Sequence, residues 1–332
     1  MTPGSGPEAD KWFVNHGLPW FVPHRREAAH RALHSRRTLA GLAVIAVVAL
    51  VIGVVLAWLT DEFSLAPATL LTLVGLAVLG YGGRELGAWP IARWAVRRTF
   101  RSLPLLLPMM TRALPLLLVF ITFLFINAEV WQVSATLDGA VLWLTVMLFV
   151  ALATGFLLVR LPEELDQVDD EVETASVVAA CTGTPMAAYA QQLTDEHGHT
   201  HRITDDTEIH GMEKANLVLV LMIAQAVQVL LLAVSVFTFF VVFGAVVMKH
   251  GVQEAWIGSA PHALPFASNL SVELLQVSVF LAAFSGLYFT VYAVSDPAYR
   301  EQFFTRVAED LERAIGVHTV YETLRQESAA EN

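Results

Sequence analysis

The residues with the most chemistry in them lie in TDEHGHTHRITDDTEIHG, positions 194 to 211. His197, His199 and His201 alternate there, and His210, Asp195, Glu196, Asp205 and Asp206 stand close by. Neutral imidazole and carboxylate are sound ligands for Zn²⁺ or a related divalent ion. His197, His199, His201 and His210 are therefore the candidate metal ligands, and zinc is the cofactor they would take. A solvated loop explains the same residues, because His-rich tracts are common compositional features and no second element at fixed spacing completes a four-ligand cage. The sequence favours the loop, and no other cofactor is expected.

A second set sits inside oily runs. Arg112 lies about 15 residues, or ~22 Å of helix, from Asn127. It could meet an anionic substrate or headgroup, or snorkel to the interface and pair within a bundle, which the sequence favours. Gln225 and Gln228, with Ser235 two turns on, form one polar stripe. Hydrogen bonding between helices is the plainer reading of that stripe, and lining a polar pathway is the other. Pro104, Pro108 and Pro115 remove helical donors near Arg112, which a membrane tolerates only where protein or water satisfies the freed carbonyls.

Other motifs dissolve on inspection. HRALH, His30 to His34, has the spacing of a zinc-protease helix but carries Arg31 where the general-base glutamate belongs. Gly80, Tyr81 and Gly82 in VLGYGG echo a potassium-channel filter, yet they stand beside Arg84 and lack the preceding threonine, so a glycine-rich helix end is expected. A phosphate-binding loop, a serine-hydrolase elbow and an intramembrane Asp pair are all missing, so no catalytic residue is assigned and the chain is not expected to be an enzyme.

The elements that must position these residues are set by composition. Of 332 residues, 55% are hydrophobic and 15% charged, whereas an average soluble domain carries about 25% charged. The apolar residues come in runs near 20 long, the length a helix needs to cross a bilayer. Six spans follow, near 39 to 59, 64 to 82, 104 to 127, 138 to 159, 215 to 248 and 273 to 295. The fifth, about 34 residues and ~51 Å long, exceeds a ~30 Å hydrocarbon core and must tilt, kink or project into water. The long polar stretch before the first run, with no cleavage site after it, predicts an anchor rather than a signal peptide.

Basic residues set the direction. Of the 20 Lys and Arg residues all but Lys249 fall before span one, at the junction of spans two and three, between four and five, or after six. Positive charge is retained on the cytoplasmic side. The fold class expected is an all-α, polytopic six-helix bundle with both termini cytoplasmic, in the inner (plasma) membrane of a bacterium. The single Cys181 excludes an internal disulfide.

Five regions result: a cytoplasmic segment 1–38, spans one to four over 39–160 with an interfacial amphipathic helix at 86–102, an acidic loop 161–214, spans five and six over 215–295, and an amphipathic tail 296–332. Trp89, Trp94 and Phe100 alternate with arginines in the interfacial helix, which suits the headgroup layer as an anchor or a lipid sensor. The loop holds thirteen of the 31 carboxylates and predicts two short helices broken at Gly183, with Thr184 as cap and Pro185 at the first helical position. Its few aromatic residues argue against a core of its own. In the tail, Tyr299, Phe303, Val307 and Leu311 share one face, which could cover the bundle or pair with a second subunit.

Six spans and a His-rich loop after the fourth resemble the cation diffusion facilitator transporters. Those carry His and Asp ligands in the second and fifth spans, where this chain has none, so the likeness is in outline only. The runs LPLLLVFITFLFINAEVWQ, VSVFLAAFSGLYFTV and SDPAYREQFF, with span five, resemble a group of actinobacterial integral membrane proteins over roughly residues 103 to 315. That resemblance implies a multi-pass membrane fold and brings no activity. Two function classes remain. One is a non-enzymatic membrane scaffold or regulator acting through loop and tail, with the lipid bilayer, a cytoplasmic protein or a second copy as partners and no nucleic acid. The other is a transporter or channel for a small solute or ion, for which Arg112, Asn127, Gln225 and Gln228 should share one cavity.

Overall fold

The structure, a computed structural model, describes residues 5–33, 35–84, 86–171, 174–197, 211–265, 267–295 and 312–325. It is a bundle of long apolar helices with a packed layer at each end. Helix α1 (Ser5–Asn15) and a 3-10 turn at Pro19–Phe21 lead into α2 (Pro23–Leu33). The long helices α3 (Arg36–Thr60) and α4 (Leu65–Arg84) form a hairpin. Helix α5 (Ala88–Phe125) is followed by α6 (Ala128–Ala135) and α7 (Gly139–Glu171), and two short helices follow, α8 (Thr174–Ala180) and α9 (Ala187–His197). Helix α10 (Met212–Val247) leads through α11 (His250–Ile257) and strands β1 (Ala263–Leu264) and β2 (Ala267–Ser271) to α12 (Val272–Ser295). The last described element is α13, residues 312–325.

Five of these helices are long and apolar enough to cross a membrane, and a sixth span results if the bent pair of α5 and α6 counts as one. The five stand where the apolar runs predict them. The expected third span lies within α5, whose backbone carries the 86–102 stretch and the proline-rich stretch in one continuous helix. The chain turns by 72° between Leu118–Phe125 and Ala128–Ala135. Asn127 makes that turn: its side chain accepts from the backbone N–H of Glu129 at 2.8 Å and of Val130 at 3.3 Å, the N-cap bond that a helix start requires.

Small residues set the closest helix approach. Ala49, Gly53 and Ala57 are buried one turn apart along α3, and a Cβ on Gly53 would stand 2.7 Å from the Ala66 carbonyl oxygen. Close backbone approach of this kind holds helices together where lipid supplies no hydrophobic drive. Gly53→Leu should therefore push α3 off α4 at a cost of about 1–3 kcal/mol. Thermal unfolding in detergent checks this, and an unchanged melting temperature would contradict it. Ala282 and Gly286 pack in the same way against α10, where a Cβ on Gly286 would meet Val229 at 3.1 Å. The third such pair, Ala151 and Gly155, is exposed, and no described residue stands within 4 Å of a Cβ on Gly155.

Away from the termini, α6, α11 and the hairpin cap the bundle. Trp131 is fully buried, donates from Nε1 to Phe125 O at 2.7 Å, and so satisfies a carbonyl at the bend. Phe125 stacks on Phe240 of α10 with ring centroids 4.7 Å apart. Ser271 Oγ donates to Gln253 at 2.7 Å, Glu273 accepts from His262 Nδ1 at 2.7 Å, and Gln276 donates to Leu137 O at 3.2 Å. These bonds tie the polar start of α12 into the cap.

Candidate functional site

The other end of the bundle gathers chain segments that the sequence keeps far apart. Ala9, Phe13, Phe21 and Val22 from the N-terminal segment share one core with Leu157 and Leu161 of α7, Cys181, Met186 and Ala190 of the loop, Leu217 and Leu221 of α10, and Ile315, Val317, Val320 and Tyr321 of α13. The excess length of α10 is explained here. Its first turns leave the apolar bundle and form the axis of this layer, with Glu213, Asn216, Leu217, Val220 and Leu221 all buried.

Two polar side chains on that axis carry the contacts. Asn216 is fully buried; its Oδ1 accepts from Trp20 N at 3.0 Å and its Nδ2 donates to Gly17 O at 2.8 Å. Trp20 in turn donates from Nε1 to Leu86 O at 2.7 Å, stitching the N-terminal turn to the α4–α5 connection. Gly17 has φ +77 and would place a Cβ 3.0 Å from the Trp94 ring, so this turn needs glycine on both counts. Pro19 and Pro23 then open the 3-10 turn and α2 with preset φ.

Glu213, one turn earlier, is 5% exposed. Arg26 of α2 donates from Nη1 to its Oε1, and His318 of α13 brings Nε2 to 3.6 Å from the same oxygen, an electrostatic contact longer than a hydrogen bond. One carboxylate thus receives the N-terminal helix from one side and the C-terminal helix from the other. Burial, and then the Arg26 charge, push the His318 imidazole from its usual 6.5 down to about 4, so it is neutral here. The Phe13 and Phe21 rings meet it edge-on, and its Nδ1 finds no partner among the described residues.

Further bonds close the layer. Tyr321 OH donates to Asp10 Oδ1 at 3.0 Å, and burial, reinforced by that bond, raises the phenol to about 12. Burial raises the Cys181 thiol to about 11, so it stays a thiol and serves as core rather than nucleophile. At Gly316 a Cβ would stand 2.7 Å from the Ala180 Cβ, so α13 lies almost backbone-to-surface on α8. The break at Gly183, which has φ +75, separates α8 from α9, and Thr184 Oγ1 accepts from Met186 N at 3.3 Å. The loop lacks enough apolar surface for its own core and shares one made from both ends of the chain. Chemically the site holds a charge relation between three segments, and its one cysteine is a buried thiol.

The residues singled out from sequence fall elsewhere. His199, His201 and His210 and the side chain of His197 lie outside the described residues, as do the Arg112 side chain and residues 296–311 with the expected Tyr299, Phe303, Val307 and Leu311 face. Among the described residues, no group of three His, Cys, Asp or Glu could hold a metal ion. Asn127 is spent as a cap. Gln225 is 2% exposed, and its Nε2 and the Gln228 Oε1 are buried without partners among the described residues. Asn127 and Gln225 are not brought together: Phe240, which stacks beside the Asn127 bend, is 15 residues along α10 from Gln225, roughly 22 Å. Gly80, Tyr81 and Gly82 are helical, and Tyr81 OH donates to Ala32 O at 2.9 Å, a tie between α4 and α2.

Comparison with family models, with curated proteins and with solved structures gave no match. The functional weight therefore rests on geometry. Reading by sequence alone missed Arg26, Glu213, Asn216 and His318. A signal for part of the set was present: Glu213 and Asn216 continue the register of span five below its apolar part, and WFVNHGLPWFV crowds Trp12, Phe13, Trp20 and Phe21 into a stretch otherwise read as a polar leader. Arg26 and His318 carry no local mark.

Proposed function

We propose that the protein is a membrane-anchored, non-enzymatic scaffold or regulator that works through the layer at the foot of α10. The observation that carries this reading is the Arg26–Glu213–His318 contact, where N-terminal segment and C-terminal helix meet on one membrane helix within a core the loop also builds. Such a layer can present a surface to a protein on that side and pass a change in its packing to α10. On this reading the layer lies in the cytoplasm, the side on which the positive-inside rule keeps the arginine-rich segments, and the bundle belongs to the inner (plasma) membrane of a bacterium, as the resemblance to actinobacterial membrane proteins implies. Its partners are the bilayer and a cytoplasmic protein or a second copy.

The transport alternative would need Gln225 and Gln228 to line a path. The cavity between α7, α10 and α12 is lined by neither, and Asn127 is engaged elsewhere.

A photo-crosslinking residue at Gln192, exposed on α9, tests the reading in living cells. One defined protein adduct should form, and it should disappear in Gly316→Trp, which forces α13 off α8. Adducts to lipid alone, together with solute flux through proteoliposomes of the purified protein, would overturn it in favour of transport.

A further inference from the structure

A cavity of about 420 Å³ lies between α7, α10 and α12 and shares Leu157 with the layer just described. Val146 to Leu157, Ala226 to Phe237 and Val279 to Thr290 bound it, and each stretch covers eleven residue steps, about 16 Å of helix. All three stretches lie within helices long enough to span a bilayer, and the third runs to two residues from the end of its span. The cavity exists because its floor is small, with Ala226, Ala233 and Ala283 where larger side chains would fill it. Phe149 is held as one wall by a tilted contact to Phe280 at 5.8 Å and an edge contact to Phe284 at 6.1 Å.

The lining specifies the occupant. Apart from Thr154 and Thr290 it has no polar side chain, and Thr290 Oγ1 is already committed to Gly286 O at 2.8 Å. A charged or hydrogen-bonding solute would lose its hydration there without return. Water gains little, since apolar cavities of this kind stay dry and take apolar ligands instead. The rim residues Val150, Leu230 and Val234 are 51%, 62% and 53% exposed. At mid-span these open onto hydrocarbon, not water. The length of the groove, about 16 Å, is close to half of a ~30 Å hydrocarbon core, the reach of one leaflet's chains.

We propose that this groove is a lipid site that holds one acyl chain of a bilayer phospholipid as a resident ligand. It keeps α7 apart from α10 and α12 at mid-span while filling the space between them, so the chain is part of the packed bundle. The site stands independently of the role given to the cytoplasmic layer.

The test uses the full-length protein in phosphatidylcholine and phosphatidylglycerol nanodiscs doped with a phospholipid bearing a diazirine on its acyl chain. After photolysis, adducts are mapped by mass spectrometry. Adducts on the cavity-lining stretches should exceed those on the lipid-exposed face of α3 around Val44 and Val47. They should fall several-fold in Ala283→Phe, which fills the groove from within, and in Ala226→Phe, which is exposed and so leaves the helix packing intact. Adducts on α3 should stay unchanged in both. Labelling spread over all lipid-facing helices alike, and indifferent to both substitutions, would reduce the groove to ordinary annular contact and overturn the proposal.

Discussion

Arg26→Ala is expected to free the N-terminal helices from the bundle. Glu213 has a side chain only 7% exposed, and removing Arg26 takes from that buried carboxylate its shortest charge contact, while His318, 3.6 Å away, is neutral. Breaking a buried pair in this way costs about 3–5 kcal/mol. Arg26 itself is 32% exposed, so the reverse change, Glu213→Gln, strands a cation that water can still reach and should cost less. Hydrogen exchange of the full-length protein in nanodiscs reads both. At about 1.4 kcal/mol per tenfold, protection of amides in α1 and the Pro19–Phe21 turn should drop by two to three orders of magnitude in Arg26→Ala and by less in Glu213→Gln. Equal and small effects would mean that the pair is an incidental surface contact.

Acid is expected to undock the C-terminal helix. With the imidazole of His318 at about 4 when docked and 6.5 when free, the undocked state binds more protons between those values. Docking is therefore at full strength above 6.5, weakens as the pH falls through that window, and has lost its whole contribution below about 4. The gap corresponds to about 3 kcal/mol. The charged groups facing the ring are Glu213 and Arg26; the carboxylate would welcome a protonated imidazole, but Arg26 already neutralises it. In Arg26→Ala that restraint is gone, so the imidazole should titrate higher and the acid sensitivity shrink. Exchange protection of α13 followed from pH 7.5 to 4 checks this. His318→Phe, which keeps a ring against Phe13 and Phe21, should remove the pH dependence. A wild-type profile flat across the window would contradict the assignment.

What the sequence made legible follows from the range of the forces involved. Helices that face lipid are specified by local composition, so the apolar runs located α3, α4, α7, α10 and α12 directly. The overlong fifth span announced a tilt, a kink or a projection into water, and Gly183 and Thr184 marked the loop's helix break through turn chemistry that is local too. The layer at the foot of α10 was illegible because each contributing segment looks inadequate alone. Phe13 and Phe21 stack on each other but find the rest of their core outside their own segment, the loop has too few large side chains, and residues 312–325 read only as part of an amphipathic tail. Their core exists only once the bundle has brought residues 10 and 321 within one hydrogen bond. The polar set chosen from sequence shows the same limit from the other side. Asn127 looked like a polar residue in oil and is a helix cap, which its position before Ala128–Ala135 and the 72° bend explain. Glu213 was one carboxylate among the thirteen of the acidic loop and is the meeting point of both chain ends.

The central claim is that the N-terminal helices and the C-terminal helix form one packed layer on one face of the membrane. Spin labels at Glu8 on α1 and Arg313 on α13, both exposed, measure it by pulsed dipolar spectroscopy on the reconstituted protein. A single narrow distance distribution is predicted, broadening when Gly316→Trp pushes α13 off α8. A broad distribution in the wild type, or one too long to be recorded because the labels lie on opposite sides of the bilayer, would contradict the account.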